Sequence, residues 1–395
     1  MGERFNRRTL FGAGAAAAGI AGMGLTATAG TRGAGEPVVA TERFHGVHQA
    51  GVATRPQAYT TLVALDLRPD RADRATLRSV MKLWSEDAAR LTHGIPALAD
   101  TEPELAADPA RLTVTVGYGP ELFDAVGLTA QRPAALRALP LFAVDRLENR
   151  WCGGQLLLQL CADNLLTLSH ACRVLTKNVR SMTTIRWIQR GYRNPASAST
   201  AGPSMRNVMG QVDGTVNLND DAALNKYVWD SGADQPWFAG GTVLVLRRIR
   251  AEMDAWDEVD RDSKELFVGR RLDNGAPLTG SRETDEPDFT AAVNGIPVIP
   301  ENSHIALARH RTDGEQFLRR PYNYDDTPPA GEISDSGLLF LAYQRDPARQ
   351  FVPVQQRLSD ADALNAWLTP VGSAVFAIPP GAAEGGYVGQ QLLDM

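Results

Sequence analysis

The chain has 395 residues, 44% hydrophobic and 22% charged, with 36 Gly, 24 Pro and three Cys. That balance excludes a disordered tail, a collagen-like repeat and a disulfide-stapled miniprotein, and at ~150 residues per domain the length predicts two or three domains. A net charge of -6 and a pI near 5.6 supply no basic field to neutralise phosphates, so no nucleic-acid partner is expected.

Residues 1–30 read as an export signal. A charged start, Arg4 to Phe11, precedes a weakly apolar Gly/Ala run to Leu25 and then the small residues Thr26 to Ala29. That order marks a secretory signal rather than a structural helix. The adjacent Arg7 and Arg8 mark its twin-arginine variant. This route exports folded proteins, so the expectation is an extracellular or cell-envelope protein that meets the twin-arginine machinery after acquiring a cofactor. No later run reaches ~18 apolar residues, so no membrane span is expected. Residues 31–43 are expected to be a flexible leader.

Next, Tyr59–Leu67 has the β-branched and aliphatic residues of a strand. In Arg74–Leu91, the residues Leu77, Val80, Met81, Trp84 and Ala88 recur at helical spacing. The pattern repeats later, with strand-like Gly241–Ile249 before Met253–Val259 and Lys264–Val268. Between and beyond them, strands are predicted at Leu112–Val116, Gln155–Leu160, Thr183–Gln189, Gly337–Tyr343 and Ala374–Ile378. Helices are predicted at Pro120–Val126 and Leu165–Leu175. Strict strand–helix alternation and a Gly-rich first turn are both missing, so the expected class is α+β, antiparallel sheets packed against peripheral helices. The Pro/Ala/Ser stretch Asn194–Ser204 reads as a linker. It divides the chain into residues 44–198 and 199–395, each strand-first and then helical, as two ferredoxin-like halves. Cys152, Cys161 and Cys172 follow neither a zinc nor a CxxC spacing, and they leave one disulfide open.

Six histidines occur without an HExxH pattern, and neither a GxSxG elbow nor a phosphate loop is present. Four strings stand out: Phe44–Val52 (FHGVHQAGV), Arg206–Thr215 (RNVMGQVDGT), Ser303–Arg311 with Leu318–Tyr324 (LRRPYNY), and Gly337–Pro353. Each has a plain structural reading. Asp213-Gly214 is a turn dipeptide, His304 suits a hydrogen-bonded core histidine, and Arg319-Arg320 suits a surface pair.

Taken together, in this order and with Gly385–Gln390 (GGYVGQ), the strings resemble the dye-decolourising haem peroxidases. The likeness runs from Phe44 almost to the C-terminus. It is strongest to the exported twin-arginine (A-type) subgroup that includes iron-releasing deferrochelatases. The resemblance implies two ferredoxin-like domains in a dimeric α+β-barrel-like arrangement, with haem b held mainly by the second half. It makes His304 the proximal iron ligand, Asp213 the distal carboxylate and Arg319 the distal arginine. Gly214, Thr215 and Val216, and the segment Arg309, His310 and Arg311, are then expected to line the haem. The family usually has Arg after His-Ile, where this chain has Ala306. His310 replaces a frequent Pro and is a second candidate ligand.

Those residue types suit the chemistry. A neutral imidazole can bind haem iron on one face and leave the other open to hydrogen peroxide. A carboxylate there can move a proton between the peroxide oxygens, and a permanently charged guanidinium can stabilise the charge that develops as they separate. Small aromatic reductants would then supply electrons, directly or through Trp237, Trp256, Tyr322, Tyr324 or Tyr343, whose simpler role is core packing. The expected activity is therefore oxidation of aromatic or dye-like compounds by peroxide. Removal of iron from haem and non-catalytic haem carriage are the alternatives, and oligomeric state is left open.

Overall fold

A computed structural model describes residues 40–194, 204–213 and 215–395. The export signal, leader residues 31–39, linker residues 195–203 and Gly214 lie outside the described residues.

Two runs of elements share one plan. The first comprises β1 (Tyr59–Leu67), α1 (Arg74–Leu91), β2 (Thr113–Tyr118), β3 (Leu156–Ala162), α2 (Leu165–Val179) and β4 (Thr183–Tyr192). Its strands lie side by side as β4-β1-β3-β2. The second comprises β5 (Thr242–Ala251), α3 (His304–Ala308), β6 (Leu318–Arg319), β7 (Tyr322–Asp326), β8 (Asp335–Gln344), α4 (Phe351–Ala361) and β9 (Leu368–Ile378). Pro321 removes a backbone donor between β6 and β7, which both pair with β8 as one interrupted strand. Counted that way, the second half repeats the neighbour order of the first, and both are ferredoxin-like with antiparallel pairing throughout. The halves meet through single residue pairs, Tyr192 with Asn323 and Tyr118 with Ala377, and β5 joins β8 to β9. The eight positions thus form a closed ring.

Ring closure explains why the strands read as continuous apolar runs. All of β3 is buried. Leu156, Leu158, Leu160 and Ala162 pack with Val80, Met81 and Trp84 of α1, whereas Leu157 and Cys161 join Tyr322 and Tyr343 inside the ring. With both faces covered, the period-two polar signal disappears. The helices begin where side chains satisfy their first amides: Asp73 accepts from Thr76 N at 2.7 Å and Asn164 from Leu166 N at 2.8 Å.

Two motif strings act as clasps between the halves. Gln49 bonds to Val116 O and Pro379 O, each at 3.0 Å, and Gly46 N donates to Ala382 O. At the other end, Val388 N donates to Ser85 Oγ at 3.0 Å. Gly389 takes φ +78°, and a Cβ there would lie 2.2 Å from the Tyr118 hydroxyl.

The predicted ranges for β1 and α1 coincide with the observed ones, whereas β9 begins six residues before the predicted Ala374. The α4 helix and the short β6 and β7 were not expected. All three cysteines are free thiols, so the possible disulfide does not form. Among the described residues, no helix is long and apolar enough to cross a membrane.

Candidate functional site

Asp213 ends a two-rung hairpin in which Met205 faces Asp213 and Arg206 faces Val212. The loop closes through Asn207, whose amide donates to Gln211 O at 2.9 Å and whose side chain accepts from Gln211 N at 3.0 Å. Gly210 supplies the left-handed residue, φ +87°, that so tight a loop requires.

The Asp213 carboxylate meets the Arg319 guanidinium, with Oδ1 3.3 Å from Nη1. Arg319 is held from three directions. Its amide donates to Asn217 Oδ1 at 2.8 Å, its carbonyl accepts from Asn217 Nδ2 at 2.7 Å, and its Nη2 donates to Val216 O at 2.7 Å. Thr215 turns its hydroxyl to Glu283, at 2.9 Å. Gly214, between them, is outside the described residues.

His304 opens the short helix α3, directly after the fully buried Ser303. Its Nδ1 lies 2.6 Å from Asp362 Oδ2. Asp362 stands between α4 and β9, and its Oδ1 accepts from Leu364 N at 2.9 Å, so the carboxylate is fixed before it meets the imidazole. From α4, Arg357 reaches Leu307 O and Arg309 O at the far end of α3 and pairs with Glu315 at 2.8 Å. Both ends of the five-residue helix are therefore tied to α4.

Burial is the largest influence on His304 and pulls its pKa down. The charge and hydrogen bond of Asp362 outweigh it, with Asp213 adding to the rise and Arg319 opposing it, and the net shift is upward. Asp213 and Arg319 thus lie within electrostatic reach of the ring. Because Nδ1 is committed to Asp362, Nε2 is the ring nitrogen left for a ligand. The hydroxyl of the preceding Ser303 is buried and has no partner among the described residues.

The structure thus brings together Asp213, Val216, His304 and Arg319. Arg309, His310 and Arg311 are exposed. The Arg309 guanidinium stands 5.1 Å from the centre of the Phe289 ring, and Arg311 N donates to Glu315 Oε2 at 3.0 Å. Asp362 was not foreseen, because it lies 58 residues from His304 and its only local signature is that of a helix cap. Asn217 was also missed. It follows Val216 directly, but a lone Asn gives no sign that it will bracket an arginine 102 residues away.

Comparison with known proteins agrees over nearly the whole described chain. Residues 49–193 match the family model "Dyp-type peroxidase, N-terminal", and residues 204–383 match "Dyp-type peroxidase, C-terminal". The chain is 40% identical to the dye-decolorizing peroxidase of Thermobifida fusca, over 88% of this chain and 84% of that protein. It is 36% identical to a deferrochelatase of Yersinia pestis, over 89% and 84% respectively. A solved DyP-type peroxidase from Cellulomonas bogoriensis superposes with a TM-score of 0.88 at 50% identity, covering 90% of this chain and 99% of that one.

Proposed function

The chain belongs to the Dyp-type peroxidase family, and from that membership we propose that it is an exported enzyme oxidising aromatic or dye-like compounds with hydrogen peroxide. It is a haem peroxidase, and haem is the cofactor of its family. The donor set fits that group. One imidazole nitrogen is oriented by a carboxylate and the other is free, and a carboxylate–guanidinium pair lies within electrostatic reach of the ring. This juxtaposition is the observation that carries the proposal.

In this reading His304 Nε2 would hold the haem iron, and Asp362 fixes the ring's orientation and would increase its electron donation. When bound, haem would supply the metal that takes up peroxide and would store the two oxidising equivalents that peroxide delivers until reductants consume them. The chain's own part is proton transfer and charge stabilisation. Asp213 removes the proton from one peroxide oxygen and returns it to the other, which leaves as water. Arg319 cannot lose its charge and stabilises the negative charge that builds on the departing oxygen. Val216 O and Asn217 keep the guanidinium aimed, so no reorganisation is needed during the reaction. Thr215 and Val216 would line the haem on the side of Asp213. Residues 1–30 support export by the twin-arginine route to the cell envelope or beyond.

Iron release from haem is the second reading, favoured by the similarity to proteins named deferrochelatase. Both readings use the same residues. Adding peroxide and a phenolic dye to the haem-loaded protein, with haem and dye absorbances followed together, separates them. Bleaching of the dye with haem intact is expected. Release of free porphyrin with the dye unchanged would overturn the peroxidase reading in favour of iron release.

A further inference from the structure

The hairpin that carries Asp213 has two rungs, and a ladder so short has little stability of its own. Asp213 occupies the terminal rung, opposite Met205, where fraying begins. Its contact with Arg319, at 3.3 Å, is too long to fix the carboxylate alone. Something outside the hairpin has to hold it.

The segment Arg270–Glu283 does so at both ends. At the loop end, Arg206 donates from Nη1 to Gly210 O at 2.6 Å and to Leu272 O at 2.5 Å, and from Nη2 to Asp273 O at 3.1 Å. Along its length, Gly275 lies so close that a Cβ there would stand 2.8 Å from Val212 Cβ. At the open end, Ser204 and Thr215 occupy the two chains just beyond the last rung. Both donate their hydroxyls to one atom, Glu283 Oε1, with the Thr215 bond at 2.9 Å. The Glu283 carbonyl is itself held by Nη1 of the buried Arg270 at 2.9 Å, and that nitrogen also donates to Gly275 O at 2.7 Å.

We propose that Glu283 is a positioning residue for the reaction with peroxide: by accepting from Ser204 and Thr215 together, it closes the open end of the hairpin and holds Asp213 in place. It touches no reacting atom and acts only through Asp213. The inference rests on the reading of Asp213 as the proton carrier.

The test uses haem-loaded protein carrying Glu283→Ala, Glu283→Gln, Asp213→Ala or the pair Asp213→Ala/Glu283→Ala, mixed with peroxide in stopped-flow. Displacing a reacting group by about 1 Å can cost up to ~100-fold, so Glu283→Ala is expected to slow the reaction by about tenfold or more with the Soret band unchanged. Glu283→Gln keeps an oxygen that accepts both hydroxyls and is expected to restore most of the rate. The double variant is expected to be no slower than Asp213→Ala, since a residue acting only through Asp213 has nothing left to position. Amide hydrogen exchange on the haem-free chain gives a readout independent of activity: in Glu283→Ala, residues 204–213 should exchange faster while the melting temperature stays near wild type. A wild-type rate and unchanged exchange in Glu283→Ala overturn the inference. So does a Glu283→Gln variant as slow as Glu283→Ala, which would place the effect in the charge rather than the hydrogen bonds. If Asp213→Ala itself reacts at the wild-type rate, the assignment of Asp213 falls first.

Discussion

The two sides of the site are built differently. On the His304 side the key contact is short, 2.6 Å to Asp362, and the carboxylate is anchored to the backbone where α4 ends. On the Asp213 side the key contact is 3.3 Å, the carboxylate sits on the last rung of a two-rung hairpin, and its support comes from side chains reaching across from another segment. The proposed ligand is held by a rigid scaffold, and the proposed proton carrier by a network. The first arrangement suits a group that must retain a cofactor for the life of the protein. The second suits a group that must accept and give up a proton at each turnover. Changes on the His304 side should therefore alter whether haem is held, and changes on the Asp213 side how fast peroxide reacts.

The largest expected effect is on the ligand. His304→Ala should lose most of the Soret absorbance of protein purified with haem, and an undiminished band would remove His304 from its role. Asp362→Asn comes next, with haem affinity falling by about tenfold to a hundredfold, as measured by haem titration of the haem-free protein.

This variant also carries a pH signature. Haem binding needs a neutral imidazole, and Asp362 holds His304 above its ordinary value of about 6.5. Loading of the wild-type chain should weaken as pH falls through that raised value, and with Asp362→Asn the weakening should move to lower pH. In the haem-free fold, the protonated pair contributes stability that is fully present below about pH 6.5 and lost as pH rises through the raised value. The melting-temperature deficit of Asp362→Asn should therefore shrink over that window. A deficit that does not vary with pH would show that the pair's charge plays no part in holding the ring. The smallest effect is expected at the rival ligand. His310 is exposed, and His310→Ala should leave the Soret band in place.

The fold was legible wherever a single physical signal dominated. Tyr59–Leu67 and Arg74–Leu91 were placed to the residue, because a run rich in β-branched and aliphatic residues and a clean helical stripe have no competing interpretation. The strand Leu318–Asp326 was hidden by Arg319, Arg320 and Pro321. Their charge and missing donor argue against a strand, yet Arg320 is buried and bonds to Gln57 Oε1 at 2.5 Å. The α4 helix was obscured because Pro353 falls at its start, where a missing amide costs nothing.

Within the site, Asp213, His304 and Arg319 were singled out because the strings that carry them resemble one family in their order along the chain, whereas Asp362, Asn217 and Glu283 were not. Those three act through contacts with residues 58, 102 and 68 positions away. Their surroundings look like an ordinary helix cap, a lone amide and a surface acid, and only the folded chain shows what they hold.

Stopped-flow mixing of peroxide with haem-loaded Asp213→Ala and Arg319→Ala, compared with wild type at equal haem content, tests the division between the two sides most directly. The account predicts an intact Soret band in both variants and a peroxide reaction slowed by about 100-fold or more. Wild-type rates in both, or loss of haem from either, would contradict it.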